Sequence, residues 1–228
     1  PPTPPSLPRL LDVYRSPATL FLVMRAELGG DLATRLESLG GQCSESEALG
    51  HARKVLKALT RVHARGLVHC DIKPSNVFLS QKHEARLGDL GLAQQLPRPN
   101  ADNGGNLLTR VCGSHDYRAP EMVLCGHGLS PGYGTPADMW QFGILLFEML
   151  FGTHPFHRSS EIATIAAILS ADFVFPGTPS AAPAATNCMQ SITWTVSGAA
   201  RDLICCLLVT DPAKRLTALQ CAQHHWFR

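Results

Sequence analysis

The sequence predicts an α+β domain that is mainly helical and carries a few short β-strands. From residue 31 onward, apolar residues recur mostly at helical spacing. The runs with strand character are short and are separated by glycine, proline and polar residues. Of the 228 residues, 45% are hydrophobic and 17% are charged. That composition argues against a disordered chain, and the length is enough to bury a sizeable core.

The first predicted elements are a proline-rich lead-in and a short strand. We assign residues 1–9 to the lead-in, because PPTPPSLP is typical of an extended chain. A linker and a ligand for a partner domain both fit it. The apolar run LFLVM at 20–24 predicts a buried strand, which the glycine pair at 29–30 ends. Asp31 is a suitable N-cap for a helix over 32–39.

A long helix and three short strands follow. Ser44 and Glu47 have the spacing of a capping box. Apolar residues then recur at helical spacing until Gly66, which favours the end of a helix. The predicted strands cover residues 67–69, 77–79 and 85–88.

The second half of the chain is predicted to be helical around one buried helix. Thr135 and Pro136 supply a cap and a first-turn proline for a helix over 137–150. That segment is apolar nearly all round, which indicates a central position in the core. Further helices are predicted over 159–169, 197–208 and 217–222. The stretches 97–106 and 176–187, rich in proline and small or polar residues, predict a polar loop and a flexible insertion.

Charge and cysteine content narrow the function classes. The net charge is +2, so no basic footprint for nucleic acid or an anionic membrane is present. The eight cysteines include no Cys-x-x-Cys pair, and a zinc knuckle therefore has no support. We expect reduced, mostly buried thiols, which favour a cytoplasmic or nuclear location.

Polar residues suited to phosphate chemistry lie on loops between the short strands. In HCDIKPSN, Asp71 could accept a proton, Lys73 could neutralise phosphate charge, and Asn76 offers an amide oxygen to a hard cation. Asp89 follows the strand at 85–88 and offers a carboxylate to Mg²⁺. A single loop aspartate is usually explained by turn formation. Three further motifs follow in order: APE at 119–121, DMWQFG at 138–143 and DPAKRLT at 211–217.

With these motifs the chain resembles the eukaryotic protein kinase superfamily, serine/threonine type, over roughly residues 10–228. The resemblance implies a mainly helical kinase large lobe over 31–228, with short β-strands around the catalytic loop. The catalytic loop would be 69–76 and the activation segment 89–121. Residues 10–30 would supply a strand remnant of the small-lobe sheet and the hinge.

The resemblance implies a catalytic role for three residues and a metal-binding role for two. Asp71 matches the base that accepts the proton of the substrate hydroxyl, and Lys73 matches the lysine that contacts the transferred phosphate. Asn76 and Asp89 match the ligands of Mg²⁺, which bridges the ATP phosphates.

The nucleotide-binding residues are implied to lie in and after the hinge. VMRAE at 23–27 resembles the hinge, whose backbone amides hold adenine. Met24 would be the gatekeeper, with Ala26 and Glu27 beside adenine. Asp31 is placed to reach a ribose hydroxyl.

Four residues have implied structural roles. Ser114 takes the position of the hydroxyl residue that closes the substrate loop near the catalytic aspartate. Asp138, near the start of a buried helix, is expected to accept hydrogen bonds from the backbone of the catalytic loop. Glu121 and Arg215 are expected to form a buried, two-pronged ion pair.

The sequence departs from the kinase pattern in two places that bear on activity. Residues 1–19 contain neither glycine nor lysine, and the first lysine is Lys54. A kinase needs a glycine-rich loop, a strand lysine and a helix glutamate before the hinge. A fragment and a natural kinase-like scaffold both fit this. Cys70 stands where the family usually has an arginine that binds an activation-segment phosphate, so a phosphate on Thr109 would lack its usual partner.

The sequence thus predicts the catalytic domain of a serine/threonine protein kinase, which uses ATP and Mg²⁺ to phosphorylate protein hydroxyls. Its expected partners are ATP and a protein substrate, with no nucleic acid and no membrane. The chain as given is expected to be inactive without the small lobe. The alternative is a catalytically inactive kinase-like scaffold or interaction module.

Overall fold

The computed structural model describes residues 6–97, 106–177 and 196–228. Most of the polar loop predicted at 97–106, most of the insertion at 176–187 and the first residues of the lead-in lie outside these ranges. Within them the protein is α+β, as the sequence predicts. The strands are β1 Leu10–Arg15, β2 Leu20–Met24, β3 Leu67–Val68, β4 Val77–Leu79, β5 Ala85–Leu87 and β6 Gln94–Gln95. The helices are α1 Leu32–Ser38, α2 Glu45–His63, α3 Pro120–Gly126, α4 Pro136–Phe151, α5 Glu161–Ser170, α6 Gly198–Leu207 and α7 Ala218–Cys221.

The β1–β2 hairpin is exposed on both faces. The two strands are antiparallel and place Tyr14 opposite Phe21. The sequence predicts a buried strand at 20–24, and this is wrong: the strand is present, but its five residues are 39–60% exposed. An isolated pair of strands buries little surface by itself. Within the described ranges, neither face of this sheet is covered.

A close backbone approach joins the hairpin to the helical body. The amide of Gly29 donates to the carbonyl of Leu79 at 2.9 Å, and the amide of Leu79 donates to Gly30 at 2.8 Å. A Cβ atom on Gly29 would clash with the carbonyl of Ser80, so glycine is required here. The carboxylate of Asp31 then accepts from the amide of Thr34 at 2.9 Å and starts α1, as predicted.

Helix α2 begins with half of the predicted capping box. The hydroxyl of Ser44 accepts from the amide of Glu47 at 3.2 Å. The carboxylate of Glu47 does not complete the box, because it pairs instead with the guanidinium of Arg35 at 3.1 Å. The apolar face of α2 packs against β5, α4 and α7.

Helix α4 is the centre of the core. All but three of its sixteen residues are buried, which agrees with its apolar character on every side. Pro136 occupies its first turn, but the side chain of Thr135 makes no capping bond. Gly152, with φ of 70°, ends the helix. Among the described residues, no helix is both long and apolar enough to cross a bilayer.

Two further antiparallel pairs flank the predicted catalytic loop. Strand β3 pairs with β6, and β4 pairs with β5. The strands predicted at 67–69, 77–79 and 85–88 are confirmed to within one residue. The loop between β3 and β4 therefore emerges where the small sheets meet the N-terminal half of α4.

Candidate active site

The predicted catalytic loop 69–76 is fixed by two side chains from α4. The carboxylate of Asp138 accepts from the amides of His69 and Cys70 at 2.8 and 2.9 Å, as expected from the sequence. Its third partner is the ring of His63, at 2.8 Å. These bonds compensate for burying a carboxylate that has no exposed surface.

Gln141, one turn after Asp138, bridges the loop from the same face of α4. Its side-chain oxygen accepts from the amide of Ile72 at 2.8 Å, and its nitrogen donates to the carbonyl of Cys70 at 3.0 Å. Sequence reasoning gave Gln141 no role. The available signal was a single amide side chain within an otherwise apolar helix.

Cys70 adopts a left-handed backbone, with φ of 71°. Such a conformation is costly for a residue with a side chain, and it is stabilised here by the bonds from α4. A consequence is that the carbonyl of Cys70 faces Gly113 of the activation segment, where a Cβ atom would clash with it. Gly113 itself has φ of 80°, so the close approach requires glycine.

Four groups converge on the carboxylate of Asp71. The amide and hydroxyl of Ser114 donate to Oδ1 at 2.9 and 2.8 Å. The side-chain nitrogen of Asn76 and the ammonium of Lys73 lie 2.8 and 3.0 Å from Oδ2. The structure thus brings together Asp71, Lys73, Asn76 and Ser114, which the sequence singled out.

These contacts keep Asp71 ionised. Burial alone would raise the pKa of its carboxyl, but the two bonds from Ser114 and the contact with Lys73 outweigh burial. The pKa of Asp71 is therefore lowered from its ordinary value. At neutral pH the group is a carboxylate that can accept a proton.

A hydroxyl already lies between the carboxylate and the ammonium. The Nζ atom of Lys73 donates to the hydroxyl of Ser114 at 2.7 Å, and that hydroxyl donates onward to Asp71. The geometry shows that an alcohol can be held between these two side chains. A serine or threonine hydroxyl of a substrate has the same chemistry.

The two predicted metal ligands offer oxygen atoms that suit a hard cation. The side-chain nitrogen of Asn76 donates to the backbone carbonyl and to Oδ2 of Asp71. Both of its N–H groups are thus used, and the side-chain oxygen Oδ1 of Asn76 is left for another partner. Asp89 is exposed, and its Oδ1 accepts from the amide of Gly91 at 3.2 Å. Gly88, just before Asp89, donates to the carbonyl of Asn76 at 2.9 Å. One carboxylate and one amide oxygen on neighbouring loops fit Mg²⁺.

The predicted nucleotide-binding residues lie where β2 leads into α1. Met24 is the last residue of β2 and, like Ala26, is exposed. Glu27 turns its side chain to Arg86 on β5 in a 2.8 Å ion pair. Asp31 caps α1. Their contacts with adenine and ribose remain predictions.

Glu121 and Arg215 form the expected buried ion pair. The guanidinium meets both carboxylate oxygens, at 2.7 and 3.0 Å. Its remaining N–H groups donate to the carbonyls of Val209 and Pro136. All five donors are therefore used, and the plane of Arg215 lies over the ring of Trp140.

A cavity of about 260 Å³ lies next to Lys73. Its wall includes Glu148 of α4, whose carboxylate accepts from the hydroxyl of Tyr117 at 2.9 and 2.8 Å. Burial raises the pKa of Glu148 to about 7, although the bonds from Tyr117 lower it. His154 also lines the cavity, and burial lowers its pKa to about 4. In the sequence, Glu148 is distinguished only as the charged residue that interrupts the apolar stretch 142–151.

The family is decided by the match to a family model. The model described as "Protein kinase domain" matches residues 4–227. The chain belongs to the protein kinase family. This confirms the family that the motifs predict.

This kinase domain is similar to several serine/threonine protein kinases. It is 33% identical over 225 residues to the phosphorylase b kinase gamma catalytic chain, liver/testis isoform, of Mus musculus, which covers 98% of this chain and 50% of that protein. It is 33% identical over 227 residues to calcium/calmodulin-dependent serine/threonine-protein kinase 1 of Oryza sativa subsp. japonica, and this alignment covers 98% of the chain and 34% of that relative. It is 30% identical over 224 residues to Aurora/IPL1-related protein kinase 2 of Caenorhabditis elegans, and this alignment covers 98% of the chain and 64% of that relative. The chain spans half the length of the first relative.

Proposed function

We propose that this kinase domain is the catalytic domain of a serine/threonine protein kinase, which transfers the γ-phosphate of ATP to a protein hydroxyl. The observation that carries the proposal is the convergence of Lys73, Asn76 and Ser114 on the carboxylate of Asp71. The relatives support it, because they are named serine/threonine or catalytic kinase chains.

In this proposal Asp71 is the base. The oxygen of the substrate hydroxyl attacks the γ-phosphorus of ATP while its proton passes to a carboxylate oxygen of Asp71, and ADP leaves. Lys73 faces the same position and offsets negative charge on the transferred phosphoryl group. Asp138 and Gln141 take no part in the bond changes, but they hold the loop backbone in place.

Asn76 and Asp89 would hold Mg²⁺, which would offset the negative charge of the ATP phosphates. The two residues supply one neutral and one charged oxygen ligand. We also propose that Met24, Ala26, Glu27 and Asp31 contact the nucleotide. The location proposed is the cytoplasm or nucleus, which the free thiols of the described cysteines support.

A second candidate function is an inactive kinase-like scaffold. The observation that favours it is the β1–β2 hairpin, whose two faces are uncovered within the described ranges. We also propose that residues 1–228 alone bind ATP weakly and transfer negligible phosphate, because residues 1–19 contain neither the glycines nor the lysine that hold the ATP phosphates in a kinase.

Transfer of labelled γ-phosphate to a panel of acidic and basic proteins tests the proposal. The assay compares the full-length natural protein with residues 1–228 alone, each with ATP and Mg²⁺. In the active protein, Asp71→Asn should lower kcat by roughly three orders of magnitude or more. Asp12→Asn, on the exposed hairpin, is the matched control and should leave kcat unchanged. Near-normal turnover of Asp71→Asn would remove Asp71 from the role. Absence of transfer by the wild-type full-length protein would favour the scaffold.

A further inference from the structure

The activation segment is gripped at one backbone carbonyl, that of Arg110. The side-chain nitrogen of Gln94 donates to this carbonyl at 2.9 Å and to the hydroxyl of Tyr133 at 2.7 Å. The hydroxyl of Tyr133 in turn donates to the same carbonyl at 2.5 Å. The three groups form a closed triangle of hydrogen bonds, which we call the Arg110 clamp.

Both clamping side chains are fixed by the fold. Gln94 is held because β6 pairs with β3, which places it opposite Val68 and close to the catalytic loop. Tyr133 is only 1% exposed, and it exchanges two backbone hydrogen bonds with Leu108, at 2.8 and 2.9 Å. Gly132 lies so close to Leu108 that a Cβ atom would clash with the Leu108 carbonyl. The surrounding fold therefore holds both side chains of the clamp in position to bond the segment.

Among the described residues, the side chains within hydrogen-bonding distance of the Gln94 amide nitrogen and the Tyr133 hydroxyl are neutral. The thiol of Cys112 lies 3.1 Å from the nitrogen of Gln94, and the thiol of Cys70 lies 3.8 Å from it. Burial raises the pKa of the Cys70 thiol and of the Tyr133 hydroxyl, so neither ionises near neutral pH. Among the described residues, the side chains that bond to the Arg110 carbonyl are an amide and a phenol. An added phosphate would gain no charge partner from either of them.

The clamp is linked to the candidate base through a short piece of backbone. Four residues after Arg110, Ser114 donates its amide and its hydroxyl to Asp71. Between them, Gly113 packs against the carbonyl of Cys70. Releasing Arg110 would free this stretch and, with it, two of the hydrogen bonds that orient Asp71.

We propose that Gln94 and Tyr133 are positioning residues that hold the activation segment against the catalytic loop, so that activity needs no phosphate on the segment. This inference rests on the proposed kinase function. It goes beyond that function because it names the two side chains that take the place of a phosphate contact. Neither residue touches the reacting atoms; both act through Arg110 and Ser114.

Tryptic cleavage after Arg110 tests the clamp without any need for activity. The side chain of Arg110 is exposed, but a protease must draw its backbone out of the clamp. In the full chain, Tyr133→Phe and Gln94→Glu should each speed this cleavage about tenfold, which corresponds to about 1.4 kcal/mol. Cleavage after Arg15, in the exposed hairpin, is the internal standard. Gln95→Ala is the matched control, because within the described ranges the Gln95 side chain bonds to the carbonyls of Arg65 and Gly66 and to no group of the clamp. Unchanged cleavage in both clamp variants, with unchanged Tm, would overturn the clamp.

A second experiment measures steady-state kinetics of the active full-length protein. Mass spectrometry first shows that the activation segment carries no phosphate. We expect the unphosphorylated wild type to be active. Tyr133→Phe and Gln94→Glu should raise KM for the protein substrate several-fold while leaving KM for ATP unchanged, which general destabilisation would not do. A wild type that is active only when its segment is phosphorylated would overturn the proposal. If no variant and no wild type transfers phosphate while cleavage changes as expected, the kinase function fails and the holding role of the clamp stands.

Discussion

The predicted catalytic loop 69–76 and the β1–β2 hairpin differ in a way that is the opposite of what is usual for loops and strands. The hairpin is regular, yet its nine largest apolar side chains and both faces are exposed. The loop is irregular, yet its backbone is bonded by Asp138 and Gln141 and most of its residues are buried. Side-chain hydrogen bonds from a packed helix can therefore fix a loop more firmly than strand pairing fixes an isolated hairpin.

The largest difference in stability is expected between two phenylalanines. Phe147 of α4 is buried against the rings of Phe151, Phe173 and Phe175. Phe147→Ala should lower the free energy of unfolding by about 3–5 kcal/mol, because it removes a packed ring and leaves a cavity. Phe21→Ala, on β2, should lower it by less than about 1 kcal/mol. Urea unfolding of both variants measures this. Equal losses would mean that the hairpin is covered by structure that contributes to stability.

The second test concerns charge rather than packing. Removing one partner of the Glu121–Arg215 pair, as in Arg215→Ala, should cost about 3–5 kcal/mol, because a buried carboxylate is left bare. Arg215→Lys should recover only part of this, since an ammonium has no planar fork to match the two oxygens of Glu121. The control Arg15→Lys, on exposed β1, should change stability by less than about 0.5 kcal/mol. A fully stable Arg215→Lys variant would show that the fork geometry is unimportant.

The third test is the pH dependence of stability. The folded-state pKa of Glu148 is raised to about 7 by burial, whereas the ordinary value is 4.5. Between these pH values the folded state binds more protons than the unfolded state, so stability falls as pH rises from about 4.5 to 7. Glu148→Gln should remove a decline on the order of 3 kcal/mol, and exposed Glu37→Gln should not. The same slope in wild type and Glu148→Gln would contradict the assignment.

The smallest effect is expected at the activation segment. Thr109 is exposed, and the groups that bond the neighbouring carbonyl are neutral. In the active full-length protein, Thr109→Ala should therefore leave kcat/KM within a few-fold of wild type. A steady-state assay with the same protein substrate checks this. A loss as large as that of Asp71→Asn would show that a phosphate on Thr109 finds a cation elsewhere.

Much of the fold follows from local sequence signals, because caps and periodicity act over a few residues. Asp31 and Gly152 mark helix ends in the sequence and do so in the structure. The prediction that the strand at 20–24 is buried is wrong, because apolar residues favour a strand but do not show whether another element covers it. Helix α3 and strands β1 and β6 were not predicted individually.

The candidate site was predictable where residues share a motif and was missed where they meet across the chain. Asp71, Lys73 and Asn76 are close in sequence, and they meet at one carboxylate. Gln141 and Tyr133 contribute through contacts that form only on folding. Gln141 bonds to Cys70, 71 residues away in the sequence, and Tyr133 bonds to Arg110, 23 residues away. No local pattern marks such long-range bonds, and only a polar side chain in an apolar setting hints at them.

Native-state hydrogen exchange tests most directly whether α4 preforms the catalytic loop. The amides of His69, Cys70 and Ile72 each donate to a buried side chain of α4, so they should exchange only when a large part of the domain opens. Amides of β1 and β2 should exchange at least roughly a thousandfold faster, through local opening of the hairpin. Comparable protection in the two regions, or faster exchange in the loop, would contradict the account.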